Sequence, residues 1–238
     1  MSVDWSGYEP YPDVGLDLNE LPRVEARQVY KRCMATKEER IEGLRALVRT
    51  GGVELDSSDR AVQALNDWFL ADVRADPDRP GRMLPIWYSV AHDIGLFLGE
   101  VMIARHPGLR WEFFTWGKKS IDYQKHVIMG FGTENPKHHT SADPCGAVTG
   151  YGHQIIIRRG SVPTYGVVTV RGVRLDLDEI MAKHHNDEVD TDEFVDSLRI
   201  AARRAGQPDP PAADEDQPAP GEAPAPGVTP AAGPTAPG

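Results

Sequence analysis

Cysteine is scarce in this chain. Cys33 and Cys145 are the only two in 238 residues, they lie far apart, and neither belongs to a Cys-x-x-Cys pair, so no disulfide framework is indicated. Met1 to Asp17 lacks the basic stretch followed by an apolar run that marks a secretory signal. The longest apolar runs are interrupted by Asp93, Glu100 and Arg105, which argues against membrane insertion. Neither GxxxxGK[ST] nor GxGxxG leading into a helix occurs, so Gly146, Gly150 and Gly152 do not read as a phosphate loop, and no cofactor is expected. Basic charge is also in deficit. The formal net charge of −10 argues against unaided nucleic-acid binding, which needs a surface that neutralises phosphates. These absences make the cytoplasm the default compartment.

The apolar share is 40%, and the shortfall is local. From Gln207 to Gly238 the chain is almost entirely Pro, Ala and Gly, with Asp209, Asp214, Glu215, Asp216 and Glu222 as its charges. Such a segment cannot bury enough apolar surface to offset its ordering entropy, and it is expected to be a disordered tail. The remainder divides into an arm, 1–21, carrying Trp5, Tyr8 and Tyr11, and one domain, 22–206. The arm is either loose or laid over the core with its aromatics as pegs.

Helical spacing starts near Pro22, with Val24, Tyr30, Cys33 and Met34 as the apolar side of a first helix. Thr36-Lys37-Glu38-Glu39 reads as a capping box opening a second, which carries Ile41, Leu44, Leu47 and Val48 and stops at Gly51-Gly52. A third follows Asp56-Ser57-Ser58 with Val62, Leu65, Trp68, Phe69 and Val73. The fourth and longest runs from Leu84 to Arg105 and has a broad apolar face. Gly95 and Gly99 on that helix read as points of close backbone packing. The period then changes to two at Trp111-Glu112-Phe113, at His126 to Phe131, at Gln154 to Arg158 and at Tyr165 to Val170, which predicts antiparallel strands joined by glycine-rich turns. Helix returns near Asp178 to His185 and again after Thr191, read as a cap, with Phe194, Val195, Leu198 and Ala202. The order predicts an α+β domain, in which N-terminal helices and one long central helix pack on an antiparallel sheet, followed by C-terminal helices.

Chemistry-bearing side chains concentrate between Lys137 and His153. His138, His139, Cys145 and His153 are ligand types that zinc accepts, although their spacing fits no zinc motif, and no metal is the expectation. Cys145 as nucleophile, with His153 or His139 as base and Asp143 as orienter, would be a thiol hydrolase. Against both stands a plain loop, because Asp143-Pro144-Cys145-Gly146 fits a β-turn. His184-His185-Asn186-Asp187-Glu188 resembles a ligand set in composition, but histidines at a helix end more often interact with its exposed carbonyls and the negative end of its dipole. Ser89, Asp93 and Glu100 share one side of the long helix and read as its polar stripe or as hydrogen-bond partners of the neighbouring strand, ahead of an acid–base pair formed by the two carboxylates. Glu100, in the apolar middle of the helix, is expected to be partly covered and so to need a partner, with Arg105, Arg110 or Lys118 as candidates.

The run Ile94-Gly95-Leu96-Phe97-Leu98-Gly99-Glu100, followed by Trp111 opening a strand, resembles a group of small uncharacterised bacterial domains. Some of these resemble immunity or accessory proteins encoded beside toxins and secretion systems. The resemblance covers about Leu84 to Gly132 and implies an α+β fold with no catalytic residues. The expected function is non-enzymatic binding of another protein in an accessory, regulatory or immunity-like role. Its rivals are the hydrolase built on the His138–His153 loop and a structural component tethered through its tail.

Overall fold

The computed structural model describes residues 3–132, 140–159 and 189–206, together with two strands inside 160–188. The helix expected near Asp178 to His185 and the tail from Gln207 lie outside the described residues. Those residues contain five helices: α1 (Arg23–Thr50), α2 (Asp59–Asp72), α3 (Pro85–Arg105), α4 (Pro144–Arg159) and α5 (Glu193–Ala205). They also contain four strands: β1 (Arg110–Phe113), β2 (His126–Met129), β3 (Val167–Val170) and β4 (Val173–Asp176). The chain is α+β. Its strands form two separate antiparallel pairs, β1 with β2 and β3 with β4, in place of one larger sheet.

α3 is the axis of the fold. Fourteen of its residues are buried, because helices cover one side and the N-terminal arm, α1 and the β1–β2 pair cover the other. By length and composition α3 could cross a membrane, yet 78% of its most apolar window is buried within the protein. On one side Phe69 of α2, Tyr151 of α4 and Phe194 of α5 contact one another, and Phe69 also meets Trp87.

Several sequence expectations need correction. The first two predicted helices are one, since α1 continues through Thr36 without a break. No Gly or Pro interrupts it there, and the Thr36 hydroxyl donates back to the Arg32 carbonyl at 3.1 Å instead of capping a new helix. The core-facing residues of its first half are Ala26, Val29 and Cys33, while Val24 is exposed.

Gln154 to Arg158 is no strand but the end of α4. Its three isoleucines and the nearby glycines suggested otherwise, but Cys145, Val148, Tyr151, Gly152, Ile155 and Ile156 bury one helical face, and packing overrides intrinsic propensity. Gly152 lets Met83 pack close, because a Cβ there would meet the Met83 sulfur at 2.4 Å and displace that side chain. Asp143-Pro144-Cys145-Gly146 is accordingly a helix start. Pro144 takes the first position and Asp143 Oδ1 accepts the Gly146 amide at 2.8 Å. At α5 the N-cap is Asp192, not Thr191, and Ala201 is buried in place of Ala202.

The arm lies over the core. Tyr8 and Tyr11 are buried, and Trp5 packs edge-on against Trp87 with centroids 5.3 Å apart. Gln124, in the left-handed region at φ 64°, anchors the following segment by donating to the carbonyls of Leu18 at 2.6 Å and Leu21 at 2.9 Å.

Candidate functional site

The side of α3 that faces α1 and the arm is polar and buried. Ser89, His92 and Asp93 fall three and four residues apart, so they share a stripe, and Glu100 continues it two turns later. Of the expected polar stripe, Ser89 and Asp93 are buried, as is His92 beside them, and Glu100 is partly covered. α1 answers with its own inward positions: Cys33, Lys37 and Arg40 occupy turns between the buried Val29 and Ile41.

Asp93 is fully buried and accepts from Arg40 Nε at 2.9 Å, from Arg40 Nη2 at 2.5 Å and from the Tyr8 hydroxyl at 2.6 Å. A buried carboxylate persists only when its lone pairs are matched in this way. Burial, reinforced by the Asp93 charge, pushes the Tyr8 phenol well above its ordinary pKa. The partners of Glu100 are Lys37 and the Trp111 indole, which donates at 2.8 Å, and not Arg105, Arg110 or Lys118. A Cβ on Gly99 would sit 2.1 Å from the Trp111 ring, and one on Gly95 would sit 2.4 Å from the Cys145 Cα. Both glycines therefore mark close approaches, and Gly99 brings Trp111 within reach of Glu100.

Beside this ion pair Cys33 of α1, His92 of α3 and His126 of β2 converge. One ligand-type atom from each lies within 4.8 Å of the others, and all three residues are buried. Cys33 Sγ stands 3.6 Å from His92 Nε2, and His92 Nδ1 stands 3.4 Å from Asp93 Oδ1. Tyr11 stacks on the His92 ring at 4.1 Å with an interplanar angle of 9°. His126 and Ile128 project from the same face of β2, so His126 takes a core position that an apolar residue would ordinarily fill. Neither of its ring nitrogens has a hydrogen-bond partner among the described residues. Such an orphaned polar group costs about 1–3 kcal/mol. Burial, with the neighbouring His92, lowers the His126 pKa to about 4. Burial likewise pushes the Cys33 thiol up to about 12.

His92 and His126 line a cavity of about 630 Å³. Its rim is the arm from Asp13 to Leu18, and its walls include Tyr88, His153, Lys125, Asp143 and Cys145. Lys125 pairs with Asp143 at 2.9 Å, and the Tyr88 hydroxyl lies 2.8 Å from His153 Nε2.

Of the sequence-predicted hydrolase residues, Cys145, His153 and Asp143 share this wall, while the alternative base His139 lies outside the described residues. Cys145 and His153 are eight residues apart on α4, about 12 Å along the helix axis, beyond hydrogen-bond reach. Cys145 donates to the His92 carbonyl at 3.4 Å, and burial raises its pKa well above the ordinary thiol value. Asp143 caps the helix and holds Lys125. Of the four candidate zinc ligands, His138 and His139 lie outside the described residues, as does His184-His185-Asn186-Asp187-Glu188. Sequence reasoning misses the convergent trio because its members are 59 and 34 residues apart in the chain. The legible signal is local: His92-Asp93 inside an otherwise apolar helix, and His126 opening the apolar run Val127 to Met129.

Comparison with protein-family models, with curated proteins and with solved structures finds no match.

Proposed function

We propose that this chain is a non-enzymatic, intracellular binding protein that engages another protein in an accessory, regulatory or immunity-like role. The observation that carries this reading is the loop from Thr115 to Lys125 between β1 and β2. Its tip presents Ile121, 78% exposed, and Trp116, 47% exposed, with Lys118 and Lys119 exposed between them. Aromatic side chains such as Trp116 are enriched at partner-binding surfaces relative to the rest of a protein surface.

The loop is also braced, which supports recognition because little ordering entropy then remains to be lost on binding. Ser120 N donates to the Gly117 carbonyl at 2.8 Å, Tyr123 N to the Ser120 carbonyl at 3.1 Å, and the Ser141 hydroxyl to Asp122 at 2.6 Å. The tip from Thr115 to Ile121 carries no acid, on a chain whose formal net charge is −10. A partner with an apolar patch rimmed by carboxylates fits it. The raised thiol pKa values of Cys33 and Cys145 speak against nucleophilic catalysis at neutral pH.

The test is affinity capture from the native host with full-length protein and with Ile121→Asp and Trp116→Ala variants. A partner retained by the wild type and lost by both variants, at unchanged melting temperature, is the expected result. Equal retention by all three would remove the loop from the account.

A further inference from the structure

We propose that Cys33, His92 and His126 bind a zinc-class divalent metal ion at the wall of the cavity that His92 and His126 line together with the N-terminal arm. This stands independently of the partner-binding reading, on four observations.

The donor set is one thiol and two imidazoles, which borderline-soft cations prefer over the oxygen ligands that calcium and magnesium require. The Cys33 Sγ to His92 Nε2 separation is 3.6 Å. Metal–sulfur and metal–nitrogen bonds of about 2.3 and 2.0–2.1 Å at a tetrahedral angle place two such ligands about 3.6 Å apart. His92 and Cys33 are thus already at ligand spacing, and His126 lies within 4.8 Å of both.

The second observation is the orphaned His126. A buried imidazole with both nitrogens unpaired and facing a thiol and a second imidazole has the lone pair that a cation would take up. A purely structural core would favour an apolar residue at that position.

The third is the support behind His92. Metal-bound histidines usually direct the other ring nitrogen at a carboxylate, which fixes tautomer and orientation. His92 Nδ1 faces Asp93 Oδ1 at 3.4 Å, and Asp93 is itself held by Arg40 and Tyr8. The fourth is access. His92 and His126 both line the cavity, so an ion can enter from it, and a fourth ligand, water or a small anion, can approach from the same side. Binding deprotonates Cys33: the S–H bond breaks, the sulfur–metal bond forms, and the proton passes to solvent.

Cobalt(II) titration of chelator-stripped, full-length protein tests the site, because thiolate coordination gives a charge-transfer band that histidine or carboxylate ligation alone does not. The expected result is saturation at about one equivalent, with that band present in the wild type and absent from Cys33→Ser. His126→Leu removes a ligand and also the orphaned ring, so it should fold at least as well as the wild type while binding cobalt at least about tenfold more weakly. Failure of the wild type to develop the band at stoichiometric cobalt would overturn the proposal. So would a band that survives Cys33→Ser and is lost in Cys145→Ser, or one abolished by His138→Ala/His139→Ala.

Discussion

Where α3 meets α2, α4 and α5, rings pack on rings, and Trp87, Phe69, Tyr151 and Phe194 exclude water without a charge between them. Where the same helix meets α1 and the arm, Ser89, His92 and Asp93 face Tyr11, Cys33 and Arg40. Both flanks are buried, yet they are held by different physics. On the aromatic flank each side chain contributes transfer energy and dispersion, and its loss is felt as a cavity. On the polar flank each group is tolerable only because its neighbour is present, so a single deletion leaves a second group stranded. Stability alone does not require the second arrangement, since an apolar replacement of a buried ion pair is often neutral or better. Its presence beside an orphaned imidazole and a cavity fits a binding role.

Breaking one element on each flank separates the two mechanisms. Asp93→Ala should cost about 3–5 kcal/mol in urea denaturation, because it leaves Arg40 and the Tyr8 hydroxyl without their buried acceptor. Phe194→Ala should cost a similar amount, about 3–5 kcal/mol, through cavity formation. The contrast lies in rescue. Adding Arg40→Met to Asp93→Leu should recover much of the loss, whereas no second truncation should recover Phe194→Ala. Failure of the rescue would mean that the polar flank is held by packing after all.

The glycines sharpen the comparison at smaller magnitude. Gly95→Ala drives a methyl group against the Cys145 backbone and should destabilise by about 1–3 kcal/mol in the same measurement. Gly150, on the exposed side of α4, has nothing within 4 Å of the place an added methyl would take, and Gly150→Ala should stabilise by up to about 1 kcal/mol. Opposite signs are the expected outcome; equal signs would contradict the close approach of α3 and α4. The smallest effect belongs to the Thr115–Lys125 loop, where Ile121→Asp should change stability by no more than about 0.5 kcal/mol.

The two flanks also differ in how far they can be read from sequence. The aromatic flank is legible, because Val62, Leu65, Trp68 and Phe69 recur at helical spacing and Ser58 marks the helix start. Its largest misreading is α4, where three consecutive isoleucines suggest a strand although the buried positions recur every three to four residues. The polar flank is only half legible. Spacing puts Asp93 and Glu100 on one side of α3, and the apolar setting of Glu100 calls for a partner, but nothing in one sequence shows that Arg40 or Lys37 lies opposite. Likewise Thr36 and Glu39 fit a capping box by spacing alone, and only the uninterrupted helix shows that the pattern sits in mid-element. The Cys33–His92–His126 convergence depends on three elements meeting, and no local pattern encodes that.

Metal content of the protein as isolated tests the central claim about the polar flank most directly. Full-length wild type, purified without added metal or chelator, should carry about one equivalent of a zinc-class ion by elemental analysis, and the Cys33→Ser/His126→Leu variant should carry almost none. Equal metal content in the two proteins, whether both loaded or both empty, would contradict it.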